Sequence, residues 1–186
     1  EIGILILAPL ILMCIVFVPL IVRILYSERF LGANDYIIWA ASGMLFKMAS
    51  WAISFIFIAK GESKLFMINE TVVNIYSLVF QILGYWLLGL KGVGIGYALT
   101  FLCYFIQVYI ISRVKYRFRF TVDFNRIFLI QLFLLILCVI FKVVLGASWM
   151  KYVIGTLLIG ASMWYSLSGL EKRMGIISSI RLRFRK

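Results

Sequence analysis

Six long apolar stretches fill almost the whole of this 186-residue chain. They run over about residues 2–25, 36–59, 65–90, 93–114, 127–145 and 149–170. Each has roughly the 17–25 residues that an α-helix needs to cross a hydrocarbon core about 30 Å thick. A soluble domain could not cover so much apolar surface, because only 14% of the residues are charged. The sequence therefore predicts an all-α, polytopic membrane protein with six transmembrane helices.

Basic residues are distributed unevenly between the connections that six spans would place on opposite sides. Thirteen Lys and Arg residues fall on one side and five on the other, and Lys47 lies inside the second span. Cytoplasmic connections usually carry the excess of Lys and Arg. The bias predicts that residues 1–170 form a six-span lobe with both ends of the chain on the cytoplasmic side. Residues 171–186, with six basic residues and one acid, are expected to be an interfacial tail on anionic membrane lipids.

The residue content of the sequence disfavours enzymes, metal-binding proteins and nucleic-acid-binding proteins. It has no histidine, and its three cysteines lie far apart inside apolar stretches. We therefore expect no catalytic residues, no metal, no cofactor and no enzymatic activity. Residues 113–120 alternate basic and aromatic side chains, a pattern that suits either nucleic acid or a loop at the lipid headgroups. The basic residues cluster in connections rather than on one face, which predicts the loop and no nucleic-acid partner.

Lys47 is the basic residue nearest the centre of an apolar stretch. It shares a helical spacing with Gly43, Ser50 and Ser54, so these residues form one small or polar stripe. A charge at the middle of a bilayer costs at least ~2.5–3.5 kcal/mol on insertion scales. Two interpretations remain open: Lys47 lines a hydrated cavity, or it pairs structurally with a neighbouring helix.

The third apolar stretch carries the most regular set of polar side chains. They are Glu70, Asn74, Ser77, Gln81 and Tyr85. This spacing places them on one face of a helix, which must contact protein or water because hydrocarbon offers no hydrogen-bond partner. Glu70 lies roughly 10 Å shallower than Lys47 at the rise of an α-helix. A direct ion pair between these two residues would need a tilted helix or a bridging water.

The fourth stretch repeats the polar pattern more weakly, and the fifth and sixth are blander. The fourth contributes Tyr97, Thr100, Tyr104 and Gln107, whereas the fifth offers only Gln131 and Lys142. We therefore expect spans two to four to build a polar interior and the last two spans to pack outside it.

The first stretch contains Pro9 and Pro19. Each proline removes an intrahelical hydrogen bond and favours a kink. Both are candidate hinge residues, although packing alone also accommodates bent helices.

Three segments resemble a known family of transporters. They are Arg23-Ile-Leu-Tyr-Ser-Glu-Arg-Phe30, Ala59-Lys-Gly-Glu-Ser-Lys64, and the region from Asn69 through Asn74 to Gly92-Val-Gly-Ile-Gly-Tyr-Ala98. They are similar to the outer loop, the inner turn and the asparagine-bearing span with a Gly-rich turn of bacterial polysaccharide flippases. These belong to the multidrug/oligosaccharidyl-lipid/polysaccharide (MOP) exporter superfamily. The likeness covers about residues 1–112, and the last two spans carry no distinctive motif.

The resemblance implies the C-terminal lobe of a two-lobed MOP-type transporter in the bacterial inner membrane, whose N-terminal lobe is missing from this chain. Its substrate would be an undecaprenyl-diphosphate-linked polysaccharide repeat unit (O-antigen or exopolysaccharide), moved from the inner to the outer leaflet by alternating access. Lys47 would attract the diphosphate. The candidate partners for sugar hydroxyls are Asn74, Gln81, Thr100 and Gln107.

Three alternatives remain. An ion-coupled multidrug antiporter of the same superfamily would use Glu70 to carry the coupling proton or sodium ion. A membrane-embedded lipid or sugar transferase is disfavoured by the lack of histidine and of paired acids. A non-transporting scaffold could use the polar stripes to hold helices together.

Overall fold

A computed structural model describes residues 1–25, 32–144 and 149–174 of the chain. Its helices are α1 (Ile2–Leu25), α2 (Asn34–Ala59), α3 (Ser63–Leu88), α4 (Leu90–Tyr116), α5 (Val122–Val144) and α6 (Met150–Met174). All six are long and apolar enough to cross a membrane, and the described ranges contain no β-strand. The prediction of an all-α, polytopic membrane fold is confirmed.

Two helix ends differ most from the predicted spans. Helix α5 begins at Val122 rather than near residue 127, and α6 continues to Met174 rather than ending near residue 170. The first residues of the predicted interfacial tail are therefore helical. The remainder of that tail, 175–186, lies outside the described residues, as do residues 26–31 of the flippase-like outer loop.

Contacts divide the chain into two compact units. The first unit comprises Glu1–Val16 and Val122–Lys186, and the second comprises Phe17–Thr121. Helix α1 contributes its first part to the first unit and the rest to the second. The second unit thus contains α2, α3 and α4, the helices for which the sequence predicts a polar interior.

The turn between α2 and α3 is fixed by a glycine in the left-handed region. Gly61 has a φ of +77°. The Glu62 N–H bonds the Phe57 carbonyl at 2.8 Å, and the Gly61 N–H bonds the Ile58 carbonyl at 2.9 Å. This pair of bonds is the Schellman pattern, which satisfies carbonyls that the end of a helix leaves without donors.

Helix α4 packs closely against α2 and α3 because its first two turns place Gly92, Gly94 and Gly96 where these helices approach. A Cβ on Gly96 would lie 2.5 Å from the Phe80 carbonyl oxygen of α3, and a Cβ on Gly94 would lie 2.6 Å from the Tyr36 carbonyl oxygen of α2. Gly92 is in equally close contact with the backbone of α3 at Gly84. The resemblance suggested a Gly-rich turn here, but Gly92 and Gly94 lie within α4 and serve helix packing.

The first unit is tied together at one end by Arg173 of α6. Its Nε lies 2.8 Å from a carboxylate oxygen of Glu1, and its Nη2 lies 3.7 Å from one of Asp123. The beginnings of α1 and α5 and the end of α6 therefore meet at the same end of this unit. That arrangement agrees with helices that cross a membrane alternately.

The first unit also buries a polar cluster that the bland sequence of its helices did not predict. Gln131 of α5 is 1% exposed. Its amide donates to Ser166 Oγ at 3.0 Å and accepts from the Ser162 hydroxyl at 2.7 Å. Because its oxygen and nitrogen both have partners on α6, Gln131 holds α5 against α6.

Lys142 of α5 satisfies a carbonyl that a proline frees in α1. Pro19 has no N–H and cannot bond the Ile15 carbonyl four residues before it. The Lys142 ammonium donates to that carbonyl oxygen. Pro9 leaves the Leu5 carbonyl without its intrahelical donor in the same way. The hinge role of Pro9 and Pro19 stays a prediction.

We expect Gly96→Ala to destabilise the protein by about 1–3 kcal/mol, since the added methyl group would overlap the backbone of α3. Gly160→Ala in α6 is the matched control, because nothing lies within 4 Å of a Cβ at that position. There the substitution should be neutral or stabilise the helix by up to about 1 kcal/mol. Unfolding in detergent micelles measures both, and equal stability of the two variants would contradict the close approach of α3 and α4.

A second prediction concerns the bond between Lys142 and Ile15. Lys142→Met should cost about 1–3 kcal/mol of stability by leaving a buried carbonyl unpaired. The cost should be smaller in a Pro19→Ala background, where the new backbone N–H can bond Ile15. The double-mutant cycle in the same unfolding measurement gives the coupling. Lys91→Met, at an exposed lysine of α4, is the control, and strict additivity of the Lys142 and Pro19 changes would disprove the role assigned to Lys142.

Candidate functional site

Lys47 lies in a pocket of aromatic rings formed by α2 and α4. Its ammonium is 5.0 Å from the centroid of the Trp51 ring, 5.6 Å from that of Tyr97 and 4.8 Å from that of Phe101. It also donates a hydrogen bond of 3.1 Å to the Tyr97 hydroxyl. Ring faces attract a cation by roughly 0.5–2 kcal/mol each. The charge is thereby stabilised without a carboxylate.

The sequence contained a signal for this aromatic pocket. Trp51 follows Lys47 by one helical turn, and Tyr97 and Phe101 are likewise one turn apart on α4. That α2 and α4 are neighbours could not be read from the spacing. Within the described residues, no carboxylate lies within 4.0 Å of the Lys47 ammonium, so no ion pair with Glu70 forms.

Glu70 instead belongs to a carboxylate cluster with Ser54 and Tyr104. The Tyr104 hydroxyl donates to Glu70 Oε1 and lies 2.9 Å from Ser54 Oγ. The Ser54 hydroxyl is 3.3 Å from the same carboxylate oxygen. Ser54 and Tyr104 are almost fully buried, whereas Glu70 is half-buried. Three helices therefore converge on one carboxylate that already accepts hydrogen bonds.

The carboxylate cluster is open to one side. Glu70 and Ser54 line a groove of about 140 Å³ whose other walls are Trp51, Phe55 and Phe66. The two aromatic rings of Phe55 and Phe66 stack at a centroid distance of 6.4 Å. A small ion could thus reach the carboxylate past apolar walls.

The other polar residues of α3 form a larger, more open groove, which we call the α3 groove. Its volume is about 650 Å³, and it is lined by Asn74, Ser77, Leu78, Gln81, Ile82, Tyr85, Trp86 and Val93. The Gln81 amide donates to Ser77 Oγ at 2.8 Å, and Asn74, Tyr85 and Trp86 are exposed. Amides, hydroxyls and aromatic rings thus share one surface. The predicted polar stripe is divided: four of its members line this groove, and Glu70 lies in the carboxylate cluster.

Two other residues assigned to sugar binding lie away from the α3 groove. Thr100 is fully buried, and its hydroxyl donates to the Gly96 carbonyl at 2.8 Å. Gln107 donates to Asn69 Oδ1 at 2.5 Å. Asn69 is 3% exposed, and its Nδ2 has no hydrogen-bond partner among the described residues. Of the substrate candidates, the structure brings Asn74 and Gln81 together and keeps Lys47, Thr100 and Gln107 out of that lining.

No protein family model matches this chain, and no curated protein or solved structure matches it significantly. The helices define the class: an all-α, multi-pass membrane protein.

We expect Tyr104→Phe to destabilise the protein by about 1–3 kcal/mol, because it removes a hydrogen bond to a partly buried carboxylate. The control is Tyr85→Phe, which removes a hydroxyl from an exposed position in the α3 groove. Thermal unfolding in detergent should separate the two variants. Combining Tyr104→Phe with Glu70→Gln should cost less than the sum of the single changes, and a fully additive result would argue against the cluster.

Proposed function

We propose that the chain is part of a flippase that carries undecaprenyl-diphosphate-linked oligosaccharide repeat units from the inner to the outer leaflet of a bacterial cytoplasmic membrane. The observation that carries the proposal is the α3 groove, in which the Asn74 and Gln81 amides stand beside the Tyr85 and Trp86 rings. Sugars present hydroxyls, which amides bond, and apolar C–H faces, which aromatic rings cover.

The exposure of α3 supports a transport path. Of this helix, only Asn69 and Val73 are buried, although the helix is apolar and long enough to cross a membrane. Amides directed at lipid tails would lose their hydrogen bonds. We propose that the α3 groove faces a water-filled cavity whose opposite wall is the N-terminal lobe implied by the family resemblance.

Lys47 keeps the role of attracting the diphosphate in this proposal. An ammonium has three N–H donors, and its bond to Tyr97 uses one of them. The other two can bond phosphate oxygens. The rings of Trp51 and Phe101 hold the cation in place before the substrate arrives. On this view both ends of the segment face the cytoplasm, as the distribution of basic residues predicts.

The test is export of surface polysaccharide in a bacterial strain that lacks its own flippase. The strain carries the gene for the whole transporter of which we propose this chain is a part. The Asn74→Ala/Gln81→Ala variant should lower export about thirtyfold, since each of the two lost hydrogen bonds is worth roughly 1 kcal/mol. Thr71→Ala is the matched control, because Thr71 is exposed on the same helix but outside the groove and bonds its own backbone.

The same assay examines Lys47. Lys47→Gln should reduce export at an unchanged protein level, while Lys47→Arg should retain part of it, because the charge is kept. Protein level in the membrane is measured beside export for every variant. Full export by the Asn74→Ala/Gln81→Ala variant would remove the α3 groove from the mechanism.

The carboxylate cluster favours a second candidate, an ion-coupled antiporter. A half-buried carboxylate on a small groove, held by Ser54 and Tyr104, is a suitable carrier of a proton or a sodium ion. In that case Glu70→Gln should abolish ion-driven drug efflux, and Asn74→Ala/Gln81→Ala should leave efflux intact. If Glu70→Gln left drug efflux intact and Asn74→Ala/Gln81→Ala lowered only polysaccharide export, the antiporter would be excluded.

A further inference from the structure

A second polar cavity lies in the first unit, apart from every residue used in the proposed transport path. It is a cleft of about 380 Å³ at the end of the unit where α5 begins and α6 ends. We call it the basic cleft. Its lining includes the cations Arg126, Lys172 and Arg173 and the hydroxyl-bearing residues Tyr165 and Ser168.

Among the described residues, not all charges of the basic cleft are compensated by an opposite charge. Arg173 is engaged by the carboxylates of Glu1 and Asp123. Arg126 and Lys172 are exposed and make no ion pair or hydrogen bond with any other described residue. Two cations on different helices, beside a third that is already neutralised, leave a positive potential in a concave site.

The donors in the basic cleft match the oxygens of a phosphate. A guanidinium bonds two phosphate oxygens at once, and an ammonium adds a compact charge. The hydroxyls of Tyr165 and Ser168 make no hydrogen bond within the described chain and supply further donors. Three cations and the two carboxylates of Glu1 and Asp123 line the cleft, so a net positive charge remains there to attract an anion.

The position of the cleft points to a phosphate carried by a lipid. Arg126 lies about 6 Å from the beginning of α5, at the rise of an α-helix, and hence near the headgroups if α5 spans the membrane. Phe133 lies seven residues further along the same face of α5 and is 61% exposed. Acyl chains of a lipid held at Arg126 would run along such apolar side chains. Basic pockets between helix ends on the cytoplasmic side are suited to anionic lipid headgroups.

We infer that the basic cleft binds the phosphate of an anionic phospholipid headgroup, with Arg126 and Lys172 as its principal ligands. The site differs from the α3 groove in position and ligand, and it does not depend on what the protein transports. It would fasten the ends of α5 and α6 to the leaflet that the basic connections predict to be cytoplasmic.

The experiment is thermal unfolding of the purified 186-residue chain in nonionic detergent, with added phosphatidylglycerol, phosphatidylcholine or inorganic phosphate. Phosphatidylglycerol should raise Tm by about 2–4 °C more than phosphatidylcholine does for each kcal/mol of preferential binding. Arg126→Gln/Lys172→Gln should lose this difference. The matched control is Lys60→Gln/Lys64→Gln, which removes the same charge from exposed lysines at the connection of α2 and α3.

If both double variants lost the Tm difference equally, the lipid would be attracted by the overall positive charge, and the proposed site would be overturned. An equal Tm shift of the unchanged protein with both lipids would also overturn it. A shift that inorganic phosphate alone reproduces, and that depends on Arg126 and Lys172, would confirm the phosphate site but assign it to free phosphate. Ser168→Ala leaves every ion pair intact and should partly reduce the Tm shift caused by phosphatidylglycerol. This variant tests the site even if Arg126→Gln/Lys172→Gln does not fold.

Discussion

Hydrocarbon supplies no hydrogen-bond partners, and this constraint governs most of the polar contacts in the helices. Glu70 accepts from Tyr104 and Ser54, and Gln131 is bonded by two serines of α6. The Ile15 carbonyl, freed by a proline, is bonded by Lys142. Each of these three polar groups is paired with a residue of another helix, so such contacts help to fix which helix faces meet. The Asn74 and Gln81 amides of the α3 groove have no hydrogen bond to another described helix, and the proposed function rests on them.

The close packing of α4 makes the carboxylate cluster and the Lys47 pocket possible. Without side chains at Gly92, Gly94 and Gly96, the backbone of α4 touches those of α2 and α3. Within the next two to three turns, Tyr97, Phe101 and Tyr104 extend from the same helix to Lys47 and Glu70. Larger residues at the glycine positions would move these aromatic side chains away from both charged groups. The glycines therefore position the site without contacting it.

Lys47 and Arg126 illustrate two ways to place a cation in a membrane protein. Lys47, deep in α2, is held by ring faces and a phenol hydroxyl. Arg126, near the beginning of α5, has no such surroundings and lines an open cleft beside Lys172. The first arrangement suits transient binding of an anion, because the cation is held in one position. The second suits an anion that stays at the headgroup level.

Local patterns determined the fold class and the polar face of α3. Hydropathy over about 20 residues marks a spanning helix, and the helical period places Asn74, Ser77, Gln81 and Tyr85 on one surface. Both properties belong to a single helix, and the structure agrees with both. Only the tertiary structure decided that Glu70 meets Tyr104 instead of Lys47, and that Thr100 and Gln107 bond within the bundle instead of lining the groove. Those contacts depend on which helices are neighbours and on how closely they approach each other. Glycine packing between segments that are distant in the sequence decides both, and the periodicity of a single helix carries no information about them.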